Sequence, residues 1–164
     1  MARKIVLADA SPLIALARVG GLTWLRRLYK TVSITKEVRN EATGVRELPG
    51  AVAIAAAQKQ GWIRVLRQEW SGPPLPRLDT GEASTLRAAL ALGAGALVLL
   101  DDLQARREAQ RLGIAITGTA GIVVEARHAG LIPAARPVLV RLAEEGFHLG
   151  DDLLQAVLTE LGED

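Results

Sequence analysis

The stretch "LVLLDD" at residues 97–102 decides the fold. Four consecutive apolar residues, preceded by Ala96 and ended abruptly by two aspartates, read as a short strand buried on both faces. Such strands belong to parallel sheets covered by helices, and ligand sites in those sheets lie beyond the strands' carboxyl ends. A carboxylate delivered to such a place is costly unless it shifts its pKa or meets a cation. Asp101 and Asp102 therefore mark an edge where chemistry is to be sought.

Working outward, "KIVLAD" at 4–9 repeats the pattern: a short apolar strand, Lys4–Ala8, closed by Asp9. Further strands are expected at Val32–Ile34, Ile63–Leu66 and Ile114–Thr117, with Leu97–Leu100 among them. Helices are expected to begin near Ser11, Leu22, Thr35, Pro49, Thr80, Leu103, Thr119, Ala135 and Asp151. Alternation of this kind gives an α/β fold, a three-layer α/β/α sandwich with a mostly parallel sheet. The stretch "SGPPLPRLDTG" at 71–81 holds three prolines and two glycines. It reads as an irregular surface connection leading into the Thr80 helix, not as a domain boundary, so residues 1–164 are expected to form a single domain.

Composition narrows the classes. Apolar residues make up 49% of the 164 residues and charged ones 23%, a globular balance. No apolar run approaches the eighteen or so residues a membrane span needs, and Asp9 and Pro12 interrupt the one segment that mimics a signal peptide. With no cysteine, disulfides and thiolate metal sites are excluded, and a cytoplasmic setting is expected. His128 and His148 lack zinc-ligand spacing. There is no phosphate-binding P-loop and no dinucleotide fingerprint, since "LGAGAL" at 92–97 precedes a strand. A net charge of +2 and 3% aromatic residues permit a polyanionic partner held by backbone charge rather than base stacking. Trp24, Trp62 and Trp70 are expected to fill the core or an interface rather than to stack on bases.

The acids carry the function. Asp9 and the Asp101–Asp102 pair are placed at one sheet edge by the strand pattern, although each is also a good helix cap. Asp79 and Glu82 in "LDTGEA" have the spacing of a capping box. Glu41 lies one turn beyond Glu37, a like-charge spacing that costs only about 0.2–0.5 kcal/mol. Together these carboxylates suit a hard cation such as Mg²⁺ or Mn²⁺, which would activate water and stabilise the leaving oxygen in phosphodiester cleavage. If they converge, at least one carboxyl should have a raised pKa.

Five segments in order, "VLADASPLIALARVG" (6–20), V-x-x-E (Val38–Glu41), L-D-x-G-E-A (Leu78–Ala83), L-L-D-D-x-x-A-R-x-x-A-x-x-L-G (Leu99–Gly113) and T-G-T-x-G (Thr117–Gly121), resemble the PIN domain family. The resemblance is greatest to a prokaryotic PIN-like subfamily whose chains begin D-x-S-P-L-I. It implies a metal-dependent ribonuclease fold with a quartet of acids: Asp9, Glu41, Glu82 and, from the Arg106-x-x-Ala109 alignment, Asp102, with Asp101 as the other candidate. The implied metal ligands are Asp9, Glu82, Asp102 and Asp101. The implied partners are RNA and, for a toxin of a toxin–antitoxin pair, a small antitoxin; self-association is also expected. The family's usual proline is Thr35 here, whose hydroxyl can cap the helix instead. Ser11 reads as an N-cap before Pro12 that could also hold a metal-bound water. Thr119 stands at a helix start able to receive phosphate, and Arg106 is the favoured cation for an RNA backbone. The other expected use of this fold is a non-catalytic module binding nucleic acid or protein.

Overall fold

A computed structural model of the chain describes residues 5–164. Among these residues, five strands and nine helices follow one another from β1 (Val6–Ala8) and α1 (Ala10–Arg18) through α2 (Leu22–Tyr29), β2 (Val32–Thr35), α3 (Lys36–Thr43), α4 (Ala51–Lys59) and β3 (Ile63–Leu66). Next come α5 (Thr80–Leu92), β4 (Leu97–Leu99), α6 (Leu103–Arg111), β5 (Ala115–Thr117), α7 (Thr119–His128), α8 (Arg136–Glu144) and α9 (Asp151–Leu161). Each expected strand is present within one residue at either end, except that Lys4 lies outside the described residues. The segment 67–79 is irregular, as its prolines require.

The strands form one parallel sheet in the order β3-β2-β1-β4-β5. Successive side chains alternate between its faces with the period of two that a strand imposes. Val6, Ala8, Leu97 and Leu99 join one apolar cluster with α1, α2, α3 and α7, onto which α8 and α9 pack through Leu139, Leu142, Val157 and Leu158. Leu7, Val98 and Leu100 join the other, with Ala83, Leu86, Ala88 and Ala89 of α5 and Ala105 and Ala109 of α6. Helices thus cover both faces, giving the three-layer α/β/α arrangement. Trp24 and Trp62 are buried in the first cluster, and Trp70 packs against the second.

The strand order places a topological switch between β1 and β4. The chain leaves β1 toward β2 and β3 on one side, then crosses to β4 and β5 on the other, so the connections diverge and open a crevice at the carboxyl ends. Asp9 follows β1 and Asp101–Asp102 follow Leu100, so both acidic segments stand at this crevice. The Asp9 N–H donates to Leu99 O at 3.0 Å and locks the two strand ends together. The N-cap expected at Ser11 is corrected by two residues: α1 begins at Ala10 with Asp9 as its N-cap, and Ser11 is an exposed residue of the first turn.

Candidate metal centre

Three elements meet at the crevice. Asp9 comes from the end of β1, Glu41 from α3 and Asp79 from the N-cap of α5. One carboxylate oxygen of each lies within 4.8 Å of the other two. α3 starts where Thr35 Oγ1 accepts the Val38 N–H at 3.2 Å, so the threonine caps the helix as expected. With Val38 and Ala42 buried, α3 leaves Glu41 exposed on the crevice side.

The α5 start is a complete capping box: Asp79 Oδ1 accepts the Glu82 N–H at 2.7 Å, and Glu82 Oε2 accepts the Asp79 N–H at 3.1 Å. These bonds hold both carboxylates at the positive end of a helix, which offsets part of their mutual repulsion. Two hydroxyls brace the same turn. Ser84 Oγ and Thr85 Oγ1 both donate to Gly81 O, at 2.9 and 2.7 Å, and Ser84 Oγ lies 2.8 Å from Thr35 Oγ1. The cap of α3 and the first turn of α5 are therefore hydrogen-bonded to each other.

Asp9 is 4% exposed, and its Oδ1 is buried without a hydrogen-bond partner. Burial raises its pKa from 3.8 to about 7, with Glu41, Asp79 and Glu82 adding repulsion and the Ala10 N–H opposing the shift. Glu82 is raised by burial, opposed by the Asp79 N–H, with repulsion from Asp79, Asp102 and Glu41. Glu41 is raised by burial and by Asp79. Raised carboxyl pKa values were expected from convergence, but loss of solvent is the larger cause at all three groups.

Three of the four acids in the expected quartet thus share one electrostatic environment, and Asp102 enters it through Glu82. Asp102 also caps α6, its Oδ2 accepting the Ala105 N–H at 2.9 Å. Asp101 turns the other way. Its carboxylate accepts the Thr119 N–H at 2.8 Å and the Thr119 hydroxyl at 2.5 Å, so both Thr119 donors are engaged and the start of α7 is tied to the end of β4. Arg106 donates to Leu100 O at 2.8 Å and braces the same corner. Asp79 is the acid that sequence reasoning did not assign to the cluster. Its signal was visible in L-D-x-G-E-A, but the capping role, which is real, accounted for it completely.

A parallel sheet whose switch point gathers one buried and two exposed carboxylates has the oxygen donors of a metal-binding α/β domain. The PIN domain family profile matches residues 5–163, and the chain belongs to that family, whose fold is a nuclease fold. No curated protein matches the sequence.

The residues fit a divalent cation. The donor set is carboxylate oxygen, the preference of Mg²⁺ and Mn²⁺. Asp9 Oδ1 is a buried acceptor with nothing donating to it, the kind of atom that native structures rarely leave unsatisfied.

Proposed function

We propose that the protein is a Mg²⁺- or Mn²⁺-dependent ribonuclease whose centre is Asp9, Glu41 and Asp79, completed by Glu82 and Asp102. The unpartnered, buried Asp9 Oδ1 facing this acidic group carries the reading, because a carboxylate so placed is stabilised by a cation and penalised without one. A cation bound here supplies activation of water and stabilisation of the leaving oxygen of a phosphodiester.

The chain's own residues then have distinct tasks. Asp9, fixed through its N–H to Leu99 O, is the rigid ligand. Asp79 and Glu82 are oriented by the capping box, and Glu41 closes the group from α3. Asp102, at the start of α6, extends the negative field toward the Glu82 side. Arg106, near the same strand end, is positioned to offset repulsion between substrate phosphates and the acids. Asp101 and Thr119, whose polar groups bond to each other, shape the rim of the crevice in this reading.

Purified protein incubated with single-stranded RNA, single-stranded DNA and a small phosphate ester, with chelator or with Mn²⁺, tests the proposal. Metal-dependent RNA cleavage is expected. Binding of RNA without cleavage in any metal would transfer the assignment to a non-catalytic module, the reading favoured by the capping bonds that Asp79, Glu82 and Asp102 make without a cation. The toxin half of a toxin–antitoxin pair in the cytoplasm is the biological setting we propose, on family membership alone. A neighbouring reading frame encoding a small protein that co-purifies with this chain would support it. Among the described residues, no helix is long and apolar enough to cross a membrane.

A further inference from the structure

Gly81 occupies the second position of α5, inside the capping box, and is buried. A Cβ built there would lie 2.8 Å from Glu41 Oε2, 3.4 Å from Asp9 Oδ1 and 3.5 Å from Asp79 Oδ1. One missing side chain therefore faces an oxygen of each of the three converging acids. Positive φ does not account for the residue, because Gly81 is not among the glycines in that conformation. Nor does helix preference, since alanine is favoured over glycine in a helix.

We propose that Gly81 is the positioning residue of the metal centre: its lack of a side chain keeps open the cradle in which Glu41, Asp9 and Asp79 share a cation. The inference rests on the metal-centre reading above and adds a residue with no ligand atom in its side chain. The contacts differ in kind. At 3.4 and 3.5 Å, Asp9 and Asp79 would stand at ordinary van der Waals distance from an added methyl, whereas 2.8 Å to Glu41 Oε2 forces movement. Glu41 Oε2 is the end of a flexible side chain, so it can swing away at little expense to the fold. Gly81 thus controls whether the α3 glutamate reaches the cation.

The test uses the full chain and Mn²⁺ alone. Calorimetric titration and metal-induced shifts in melting midpoint are measured for wild type, Gly81→Ala, Glu41→Ala and the double variant. Gly81→Ala should melt at or above wild type in chelator and should bind Mn²⁺ at least tenfold more weakly. Because the methyl acts by displacing Glu41, its effect should shrink in the Glu41→Ala background, a non-additivity that a double-variant cycle reads directly. Wild-type affinity in Gly81→Ala would overturn the proposal, as would an undiminished effect without Glu41. A marked fall in the metal-free midpoint would assign Gly81 to helix packing and overturn it equally. Failure of wild type itself to bind Mn²⁺ would instead sink the metal-centre reading on which it rests.

Discussion

At Asp9 the opposition between folding and chemistry is concentrated in one carboxyl. The backbone N–H reaches across to β4, so the residue cannot leave the sheet edge, and one side-chain oxygen is sealed from solvent without a donor. Its folded pKa, about 7, lies above the ordinary 3.8. The neutral form is therefore favoured by folding, and Asp9 contributes stability fully below pH 3.8 that is lost as pH rises through about 7. At about 1.36 kcal/mol per unit, the loss has a ceiling of about 4 kcal/mol. Denaturant unfolding in chelator should accordingly weaken between pH 4 and 8, and Asp9→Asn should flatten that slope and match or exceed wild type at pH 8. Mn²⁺ should restore the wild type at pH 8, by about 2.7 kcal/mol at a hundredfold excess over its dissociation constant, and leave Asp9→Asn nearly unmoved. An equally steep pH dependence in both proteins would remove Asp9 as its source. The position of this acid was legible from "KIVLAD", since strand pattern and turn place it; its depth was not, because burial depends on the helices that close over it from distant parts of the chain.

The helix termini divide the remaining acids by what else they do. Asp79 both caps α5 and joins the acidic group, so substitutions can separate the roles: Asn caps about as well as Asp but is a poorer ligand for a hard cation. Asp79→Asn should leave the metal-free melting midpoint near wild type while weakening Mn²⁺ binding. Asp79→Ala should do both kinds of damage, with about 1 kcal/mol of stability lost for the cap. Equal Mn²⁺ affinity in all three proteins would restrict Asp79 to capping. At the end of β4 the two aspartates diverge. Asp101 is bonded twice to Thr119, whereas Asp102 gives one oxygen to α6 and contributes to the field on Glu82. Asp101→Ala should therefore lower the midpoint yet change Mn²⁺ affinity little, and Asp102→Asn should lower affinity with the fold intact. The reverse pattern would exchange their assignments. Sequence alone could not settle this, because adjacent residues at a strand end point in different directions and the choice depends on where α7 begins.

Across the whole molecule the architecture was the most legible layer, for a physical reason: strands buried on both faces leave continuous apolar runs, and alternation with helices leaves few parallel topologies. β1 and β4 follow from such runs, whereas β2, β3 and β5, which carry polar or exposed positions, follow from β-branched residues bounded by turn signals. The proximity of α3 to α5 does not follow from any local pattern. It depends on Thr35, Ser84 and Gly81 meeting across 49 residues of sequence between the two hydroxyls, and so the convergence of Asp79 and Gly81 on Asp9 and Glu41 became visible only in three dimensions. That arrangement has a consequence for the entire fold. A cation bound by Asp9, Glu41 and Asp79 would crosslink β1, α3 and α5, adding to the core packing of α3 through Val38 and Ala42 and of α5 through Ala83, Leu86, Ala88 and Ala89. The α8–α9 segment is secured elsewhere, through Val157 and Leu158 in the core and through Glu163, whose carboxylate accepts the Ala135 and Arg136 N–H groups. Metal should therefore stabilise the molecule unevenly. In native-state hydrogen exchange under conditions where local opening dominates, Mn²⁺ should slow exchange in α3 and the first turns of α1 and α5, with little change in α8 and α9. Protection spread evenly over all helices would mean that the cation acts only through global stability, and protection centred on α9 would place its site outside the switch-point crevice. Glu41→Ala should abolish the protection of α3 first, since that helix touches the cation through this side chain alone in the proposed centre, while Asp9→Asn should abolish the whole pattern.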